Sequence, residues 1–298
     1  MIQLAELPTR RNEAWKYSDL RAAMEGIALE PTKSAVLGSR DDVIGALAAQ
    51  LGEVEAVSVK EGAPVVRVER LGQAFAPRLL NAQVEPGATL VRIVLQETSD
   101  AVVLNSAHVR VAAGATFRQF VLAEGGKLAR VETHVSVEGE GAAIELNGAY
   151  LVGAGRHSDL TSVITHNAVG AETRQLIKGV AAKGGRSVFQ GKIVVERAAQ
   201  QTDARQYHHG MLLETGAEIF AKPELLIHAD DVQCAHGNTA GGLDEAAKFY
   251  LRSRGVPDKE ARAMLIEAFL TGAIPNGLPS EIDAELRARI AAWLEAHA

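Results

Sequence analysis

A glycine-alanine step recurs through the middle of this chain at nearly constant spacing, and no other feature limits the fold as strongly. Gly-Ala pairs begin at positions 87, 114, 141 and 170, which are 27, 27 and 29 residues apart, and another begins at 216. Short β-type runs lie between them. A constant period of a glycine turn plus short strands is typical of a β-solenoid, whose coils bury their faces against neighbouring coils. The last interval, of 46 residues, also holds Gly184-Gly185 and has room for two shorter units.

A β-sandwich or a barrel is the competing interpretation, because its strands also recur at regular spacing. No Asn-Gly or Asp-Gly hairpin pair lies between the strand-like runs, and the same turn signature returns, which favours the solenoid. The sequence therefore predicts a mainly β protein. A continuous β-helix core is expected over 54–242, between an N-terminal helical region over 1–53 and a C-terminal helical region over 243–298.

Helix-type periodicity is confined to the two ends of the chain. Near the start, Asn12 is predicted to cap a helix with Tyr17, Leu20 and Met24 on one face, and Asp41-Asp42 to begin another helix.

The C-terminal region is predicted to contain three helices. Gly255 ends the first of them, and Pro257 suits the first turn of the second. Ser280–Asp283 resembles a capping box that opens the third helix. The predicted apolar faces are Ala261, Met264, Leu265, Ala268 and Phe269 in the second helix, and Ile282, Leu286, Ile290 and Trp293 in the third.

Composition excludes several functional classes. The 298 residues carry 31 basic and 37 acidic side chains, so no basic excess exists to neutralise phosphates, and nucleic acid is not an expected partner. Cys234 is the single cysteine, which excludes an internal disulfide and favours a reducing compartment. The chain shows no basic leader followed by an apolar stretch and no run of eighteen apolar residues. We therefore expect a cytoplasmic protein that does not interact with membranes.

Conventional catalytic motifs are missing from the sequence. It contains no phosphate-binding P-loop, no Gly-x-Ser-x-Gly elbow and no His-Glu-x-x-His helix. Gly153-Ala154-Gly155 lacks the third glycine of a dinucleotide site, and the Gly-Gly steps at 125 and 184 are interpreted as β-turns. No enzymatic activity is predicted.

One segment, Leu225–Gly237, concentrates side chains that bind metals. A strand there would place His228, Asp230, Cys234 and His236 on one face. Thiolate and imidazole groups two residues apart could both meet an incoming iron ion or thiol. The alternative is purely structural, with the cysteine as a small buried residue and the histidines as ordinary strand or turn residues.

The other histidines are weaker candidates. His208 and His209 are neighbours, and neighbouring side chains on a strand diverge. His157 and His166 have no partner nearby in the sequence and are expected at the surface or in turns.

Six segments carry a family resemblance. They read RNEAWKYSDL over 11–20, QGKI over 190–193, QQTDA over 200–204, AKPELLIHADDVQCAHG over 221–237, and LDE with FYLRSRG between 243 and 255. Together they resemble the SufB/SufD family of iron–sulfur cluster assembly proteins, and the N-terminal segment resembles its D branch. The resemblance covers both ends of the chain and much of the middle.

The resemblance implies a fold and a function. Family members are right-handed parallel β-helices with helical regions at both ends, and they act as scaffold subunits in the SufB–SufC–SufD complex. It implies two partners: SufB, met edge to edge through the β-helix, and the SufC ATPase, docked on the C-terminal helices. It also implies that the chain binds no cofactor by itself. Iron or a nascent cluster, and reduced flavin as an option, would belong to the complex.

The resemblance also implies roles for particular residues. His236 would lie at the interface and face a SufB cysteine, with Cys234 beside it, and both are candidates for transient iron binding. The expected ATPase contact comprises Phe249, Tyr250, Arg252, Arg254 and Phe269.

Three features depart from the family pattern. The chain is shorter than many members, chiefly in its N-terminal half. Ala235 stands where the family has serine, and residues 237–241 read GNTAG in place of GATVG. Two other hypotheses stay open from the residues alone: a carbohydrate-active lyase or esterase built on a β-helix, and a homodimer that binds iron without an ATPase.

Overall fold

Residues 3–27, 29, 42–72 and 74–297 are described by a computed structural model of the chain. The centre is a parallel β-solenoid of two seven-stranded sheets, in which each coil contributes one strand to each sheet. The first sheet contains β1 (Glu53–Val59), β3 (Arg78–Val84), β5 (Val102–Val111), β7 (Leu128–Val137), β9 (His157–His166), β11 (Arg186–Val195) and β13 (Glu218–Ile227). The second contains β2 (Val65–Leu71), β4 (Thr89–Gln96), β6 (Thr116–Ala123), β8 (Ala143–Val152), β10 (Glu172–Ala181), β12 (Asp203–Leu212) and β14 (Gln233–Gly241).

The pairing of the strands confirms the solenoid. Every pair among the named strands is parallel and joins one coil to the next. A sandwich or barrel built from hairpins would require antiparallel neighbours. The division into three domains stays a prediction.

The recurring Gly-Ala steps form one stack of turns. Glycines 87, 114, 141 and 170 lead from the first sheet into the second and share φ angles between +60° and +69°. Gln201 takes the next place in this stack with a φ of 60°, whereas Gly184 and Gly216 lie in the opposite stack, between the second sheet and the first. The 46-residue interval between Gly170 and Gly216 is irregular because these two glycines belong to different stacks of turns.

The inner faces of the two sheets form the core of the solenoid. Parallel register places equivalent residues of successive coils beside one another, as in the row Leu90, Phe117 and Ile144. These three side chains are at most 2% exposed. Stacking of this kind buries apolar area without any contact between distant coils.

The N-terminal region covers the outer face of the first sheet. Trp15 is buried there, and the Arg130 guanidinium lies 4.0 Å from the centroid of its ring. The predicted helix capped by Asn12 is wrong, because this segment forms two short 3-10 turns, Leu4–Glu6 and Glu13–Trp15, and one turn of helix, α1 (Leu20–Ala23). Contacts with the sheet outweigh the local helical periodicity.

A second N-terminal helix, α2 (Val43–Leu51), begins as predicted after an aspartate. The Asp42 carboxylate accepts the backbone N–H of Gly45 at 2.8 Å. Asp41, the other predicted cap residue, lies outside the described residues.

The C-terminal region forms α3 (Glu245–Ser253), α4 (Asp258–Thr271) and α5 (Ser280–His297). Both α4 and α5 pack on the outer face of the second sheet. The predicted apolar face of α5 is confirmed, since Leu286 and Ile290 are fully buried. No helix among the described residues is both long enough and apolar enough to cross a membrane.

Two details of the C-terminal prediction are wrong. The buried face of α4 consists of Ala261, Ile266 and Leu270, whereas Met264 is 46% exposed. Ser280 is the first residue of α5 and not its cap, because the backbone N–H groups of the next turn bind the Pro279 carbonyl.

Candidate functional site

The last strand of the second sheet, β14, leaves one of its edges open. Among the described strands it pairs with β12 alone, and the register places Cys234, His236 and Asn238 beside Ala204, Gln206 and His208. Those three β12 residues point into the solenoid and are fully buried. The three β14 side chains therefore belong to the inner face. His236 is nevertheless exposed, because the described part of the chain adds no further coil over it.

The prediction of four ligand-type side chains on one strand face is wrong for two of them. His228 and Asp230 follow the end of β13 at Ile227 and lie in the connection that leads to β14. The chain turns there from one sheet to the other, with Ala229 buried at the corner. Alternation along a single strand therefore relates Cys234 only to His236.

Cys234 and His236 share a face but differ in environment. The Cys234 side chain is half-buried against the apolar interior, and burial raises the pKa of its thiol. A raised pKa leaves less of the reactive thiolate at neutral pH. The imidazole of His236 is the more accessible donor. Within the described ranges, no three His, Cys, Asp or Glu side chains are arranged as a metal site.

A ladder of side-chain amides leads through the interior toward His236. The Gln206 Nε2 donates to the Gln175 Oε1 at 2.8 Å, and the Gln175 Nε2 donates to the Ser162 Oγ at 2.8 Å. The Gln206 Oε1 is buried and accepts no hydrogen bond from a described residue. Sequence reasoning missed this ladder. The sequence feature that could have indicated this ladder is a spacing. Gln175, Gln206 and His236 are 31 and 30 residues apart, which is the length of one coil.

A second buried network ends at the neighbouring position of β14. The Tyr150 hydroxyl lies 2.9 Å from the His208 Nε2, and the His208 Nδ1 lies 2.7 Å from the Asn238 Oδ1. Burial lowers the pKa of His208 to about 4, so the ring is neutral at physiological pH. His209 points the other way, to the Thr239 hydroxyl, which confirms that these neighbours diverge.

Two histidines expected at the surface or in turns lie within strands and are largely buried. His166 is fully buried and its Nε2 lies 2.9 Å from the Thr173 Oγ1. The His157 Nε2 lies 3.1 Å from the hydroxyl of Ser18, under the N-terminal segment. Burial lowers the pKa of both rings to about 4. That part of the sequence prediction is wrong for two reasons: strand alternation aims His166 inward, beside the buried Val137, whereas His157 lies on the outer face and is covered by the N-terminal segment.

The aromatic residues of α3 form an exposed face. Phe249 is 74% exposed and Tyr250 is 57% exposed. The Arg254 guanidinium lies 5.3 Å from the centroid of the Tyr250 ring, and Arg252 forms an ion pair with an α4 aspartate at 3.3 Å. Phe269 differs from these four residues, because it packs on the second sheet with the cluster beneath α4.

Comparison with known families identifies the fold. The model of the SufBD core domain of the SUF system for iron–sulfur cluster assembly matches residues 47–269. The chain belongs to the SufBD family. The match covers the whole solenoid, α3 and all but the last two residues of α4, so it includes β14 and the exposed aromatic face.

Individual relatives agree with this membership. The chain is 35% identical to the iron–sulfur cluster assembly protein SufD of Escherichia coli over 170 residues, or 56% of this chain and 40% of the relative. It is 34% identical to the chloroplastic protein ABCI7 of Arabidopsis thaliana over 225 residues, 72% of this chain and 46% of the relative. It is 25% identical over 304 residues to a SufBD family protein of Mycobacterium bovis, Mb1497, covering 97% of this chain and 75% of the relative. The chain thus spans less than half the length of the first two relatives.

Proposed function

We propose that this chain is a non-enzymatic, SufD-like scaffold subunit of cytoplasmic iron–sulfur cluster assembly, which presents His236 to a cluster site shared with a SufB partner. The observation that carries the proposal is the position of His236. It is an exposed inner-face imidazole on a strand with one open edge, in a chain of the SufBD family. Membership of the SufBD family favours this role over that of a carbohydrate-active enzyme.

The chemistry of the site supports shared assembly. An open strand edge presents unpaired backbone N–H and C=O groups, which favours the addition of a strand from another chain. A neutral imidazole can bind iron, or can accept the proton of a partner thiol and so raise its thiolate fraction. Iron and the nascent cluster are then cargo of the complex. We expect no cofactor on the isolated chain, and any reduced flavin would bind only to the complex.

The exposed face of α3 supports a second contact, with the SufC ATPase. Large aromatic side chains beside arginines are the residue types enriched at the centres of protein interfaces. Phe249 and Tyr250 with Arg252 and Arg254 form such a group on α3. Phe269 is less suited to this role, because it packs inward against the second sheet.

The first experiment measures cluster formation in the assembled complex. The tagged chain is co-expressed with its SufB and SufC partners, purified without oxygen, and analysed for iron and acid-labile sulfide. Loss of a group that merely supports a metal ligand typically costs 10–100-fold in affinity, so His236→Ala should lower cluster content at least about tenfold. The complex should still assemble, because the exposed side chain contributes little to packing.

Two further variants complete this experiment. Cys234→Ser should have a much smaller effect, since burial already disfavours its thiolate. His209→Ala, an outward-facing change on the neighbouring strand, is the matched control. Wild-type cluster content in His236→Ala would contradict the proposal. A larger loss in Cys234→Ser would assign the role to the thiol.

The second experiment tests the ATPase contact in the same preparations. Phe249→Ser with Tyr250→Ser should abolish co-purification of SufC and leave the thermal midpoint unchanged, because both side chains are mostly exposed. Val169→Ser, at an exposed valine in a turn of the solenoid, is the control. This substitution is a more specific test than deletion of the chain from residue 243 onward. The deletion would also expose the apolar outer face of the second sheet beneath α4 and α5. Retention of SufC by the double variant would contradict this contact.

A further inference from the structure

The buried amide of Gln206 has one of its two polar atoms free. The residue is fully buried, its Nε2 donates to Gln175, and its Oε1 accepts no hydrogen bond within the described chain. An unsatisfied buried acceptor is unfavourable and calls for a physical explanation.

The direction of the amide follows from its neighbours in the row. On one side stands Gln175, in register on β10, and on the other side stands His236, in register on β14. Because the Gln206 nitrogen is engaged toward Gln175, the oxygen of the same planar amide is turned toward the β14 side. The opposite wall of the solenoid leaves room for this arrangement. A Cβ atom at Gly191 would stand 2.2 Å from the Gln206 Nε2.

The other two inner-face residues of β14, Cys234 and Asn238, are in register with other residues of β12. Asn238 is bound to His208 through its Oδ1, at 2.7 Å. Cys234 is in register with Ala204 and packs against apolar residues. His236 is in register with Gln206 itself, and its imidazole makes no hydrogen bond with a described residue. A free acceptor and a free imidazole therefore occupy adjacent positions of one row.

We infer that Gln206 is a positioning residue for His236, whose imidazole N–H it accepts through its amide oxygen. The ring is not bonded to this oxygen in the structure, and the inference requires that it rotate about its side-chain bonds to reach it. A neutral imidazole carries one N–H and one bare nitrogen, so a hydrogen bond at one nitrogen fixes the tautomer. The bare nitrogen then faces the open end of the solenoid. A hydrogen-bond acceptor behind a metal-binding histidine orients the ring and raises its basicity. The value of this arrangement for cluster formation rests on the proposed function, but the hydrogen bond itself does not.

The test is the tautomer of His236 in the isolated full-length chain. Nitrogen-15 NMR of the histidine rings at pH 8, with the His236 signals assigned through His236→Ala, distinguishes one fixed tautomer from an averaged mixture. We expect one fixed tautomer in the wild type and a mixture in Gln206→Leu. Asn238→Ala, which removes the neighbouring amide on the same strand face, should keep the wild-type pattern.

The outcomes separate this inference from the proposed function. A tautomer mixture in the wild type overturns the inference even if Gln206→Leu fails to fold, and so does an unchanged pattern in a folded Gln206→Leu protein. In the co-expressed complex, Gln206→Leu should reduce cluster content less than His236→Ala does. If His236→Ala leaves cluster content intact while the tautomer responds to Gln206, the hydrogen bond stands and the proposed function fails.

Discussion

The two halves of the solenoid interior accommodate buried polar groups in different ways. In the N-terminal half, Arg92 is fully buried and donates to both carboxylate oxygens of Glu69 at 2.8 and 3.0 Å. Its remaining bonds go to the side-chain oxygens of Gln119 and Asn105, at 2.7 and 2.5 Å. Asn105 returns a hydrogen bond to the same carboxylate at 3.1 Å. The cluster is charged, and its members satisfy one another.

The C-terminal half holds an uncharged ladder that ends at the open coil. Arg92, Gln119, Gln175, Gln206 and His236 share one row of the second sheet. From Gln175 to Gln206 the row consists of uncharged amides, and the Gln206 oxygen accepts no hydrogen bond from a described residue. The comparison indicates two roles for buried polar networks. A network whose members all bind one another helps to specify the fold, whereas a network with an unsatisfied group beside an exposed strand is available for function.

The largest expected effect comes from breaking the charged cluster. Burial alone would raise the pKa of Glu69, but Arg92 and its neighbours hold it at about 2. Glu69→Gln would leave a fully buried guanidinium without its carboxylate, and arginine cannot lose its proton. Removal of one partner of a buried ion pair typically costs about 3–5 kcal/mol. We expect that loss in the free energy of unfolding, measured by urea denaturation.

Two variants sharpen the comparison between the halves. Gln206→Leu removes a neutral hydrogen bond and the unsatisfied oxygen together, so it should cost only about 0.5–1.5 kcal/mol. Glu69→Leu combined with Arg92→Met removes both charges and should restore much of the stability lost in Glu69→Gln. If Glu69→Gln costs no more than Gln206→Leu, the charged cluster contributes little to stability.

The solenoid could be predicted from the sequence because one turn of each coil repeats a backbone requirement. Glycines 87, 114, 141 and 170 adopt positive φ angles that other residues rarely take, and the requirement leaves a visible period. The period is lost where Gln201 adopts the same conformation without being glycine. The N-terminal segment could not be predicted in this way, since Trp15 and Ser18 are positioned by contacts with Arg130 and Asp159 of the sheet.

The candidate site was predictable only in part. Alternation along a strand relates Cys234 to His236, and the family resemblance marks His236. The position of the turn after Ile227 separates His228 and Asp230 from them, and a short loop between two sheets has no strong local signal. The role of Gln206 could not be predicted, because its relation to His236 runs across strands, one coil apart, and depends on the register.

A smaller effect per residue is expected from the pH dependence of stability. It distinguishes the buried neutral histidines from the buried charged cluster around Glu69. His157, His166 and His208 have pKa values of about 4 in the folded chain because burial disfavours the charged ring. An unfolded histidine has a pKa near 6.5, so the unfolded chain binds more protons as pH falls. Each of the three should therefore cost about 1 kcal/mol of stability between pH 7 and 5.5.

Urea denaturation at the two pH values measures this loss, and single variants assign it. His166→Gln should reduce the difference between pH 7 and 5.5 by about 1 kcal/mol, because it removes one such proton-binding group from the unfolded chain. Glu69→Gln should leave the difference unchanged. The folded pKa of Glu69 is lowered to about 2, so its stabilisation is complete above the unfolded value near 4.5 and is lost only as pH falls below it. If the wild type were equally stable at both pH values, these histidines would have to accept protons in the folded chain. The buried hydrogen bonds between His166 and Thr173 and between His208 and Tyr150 would then be weaker than their geometry indicates.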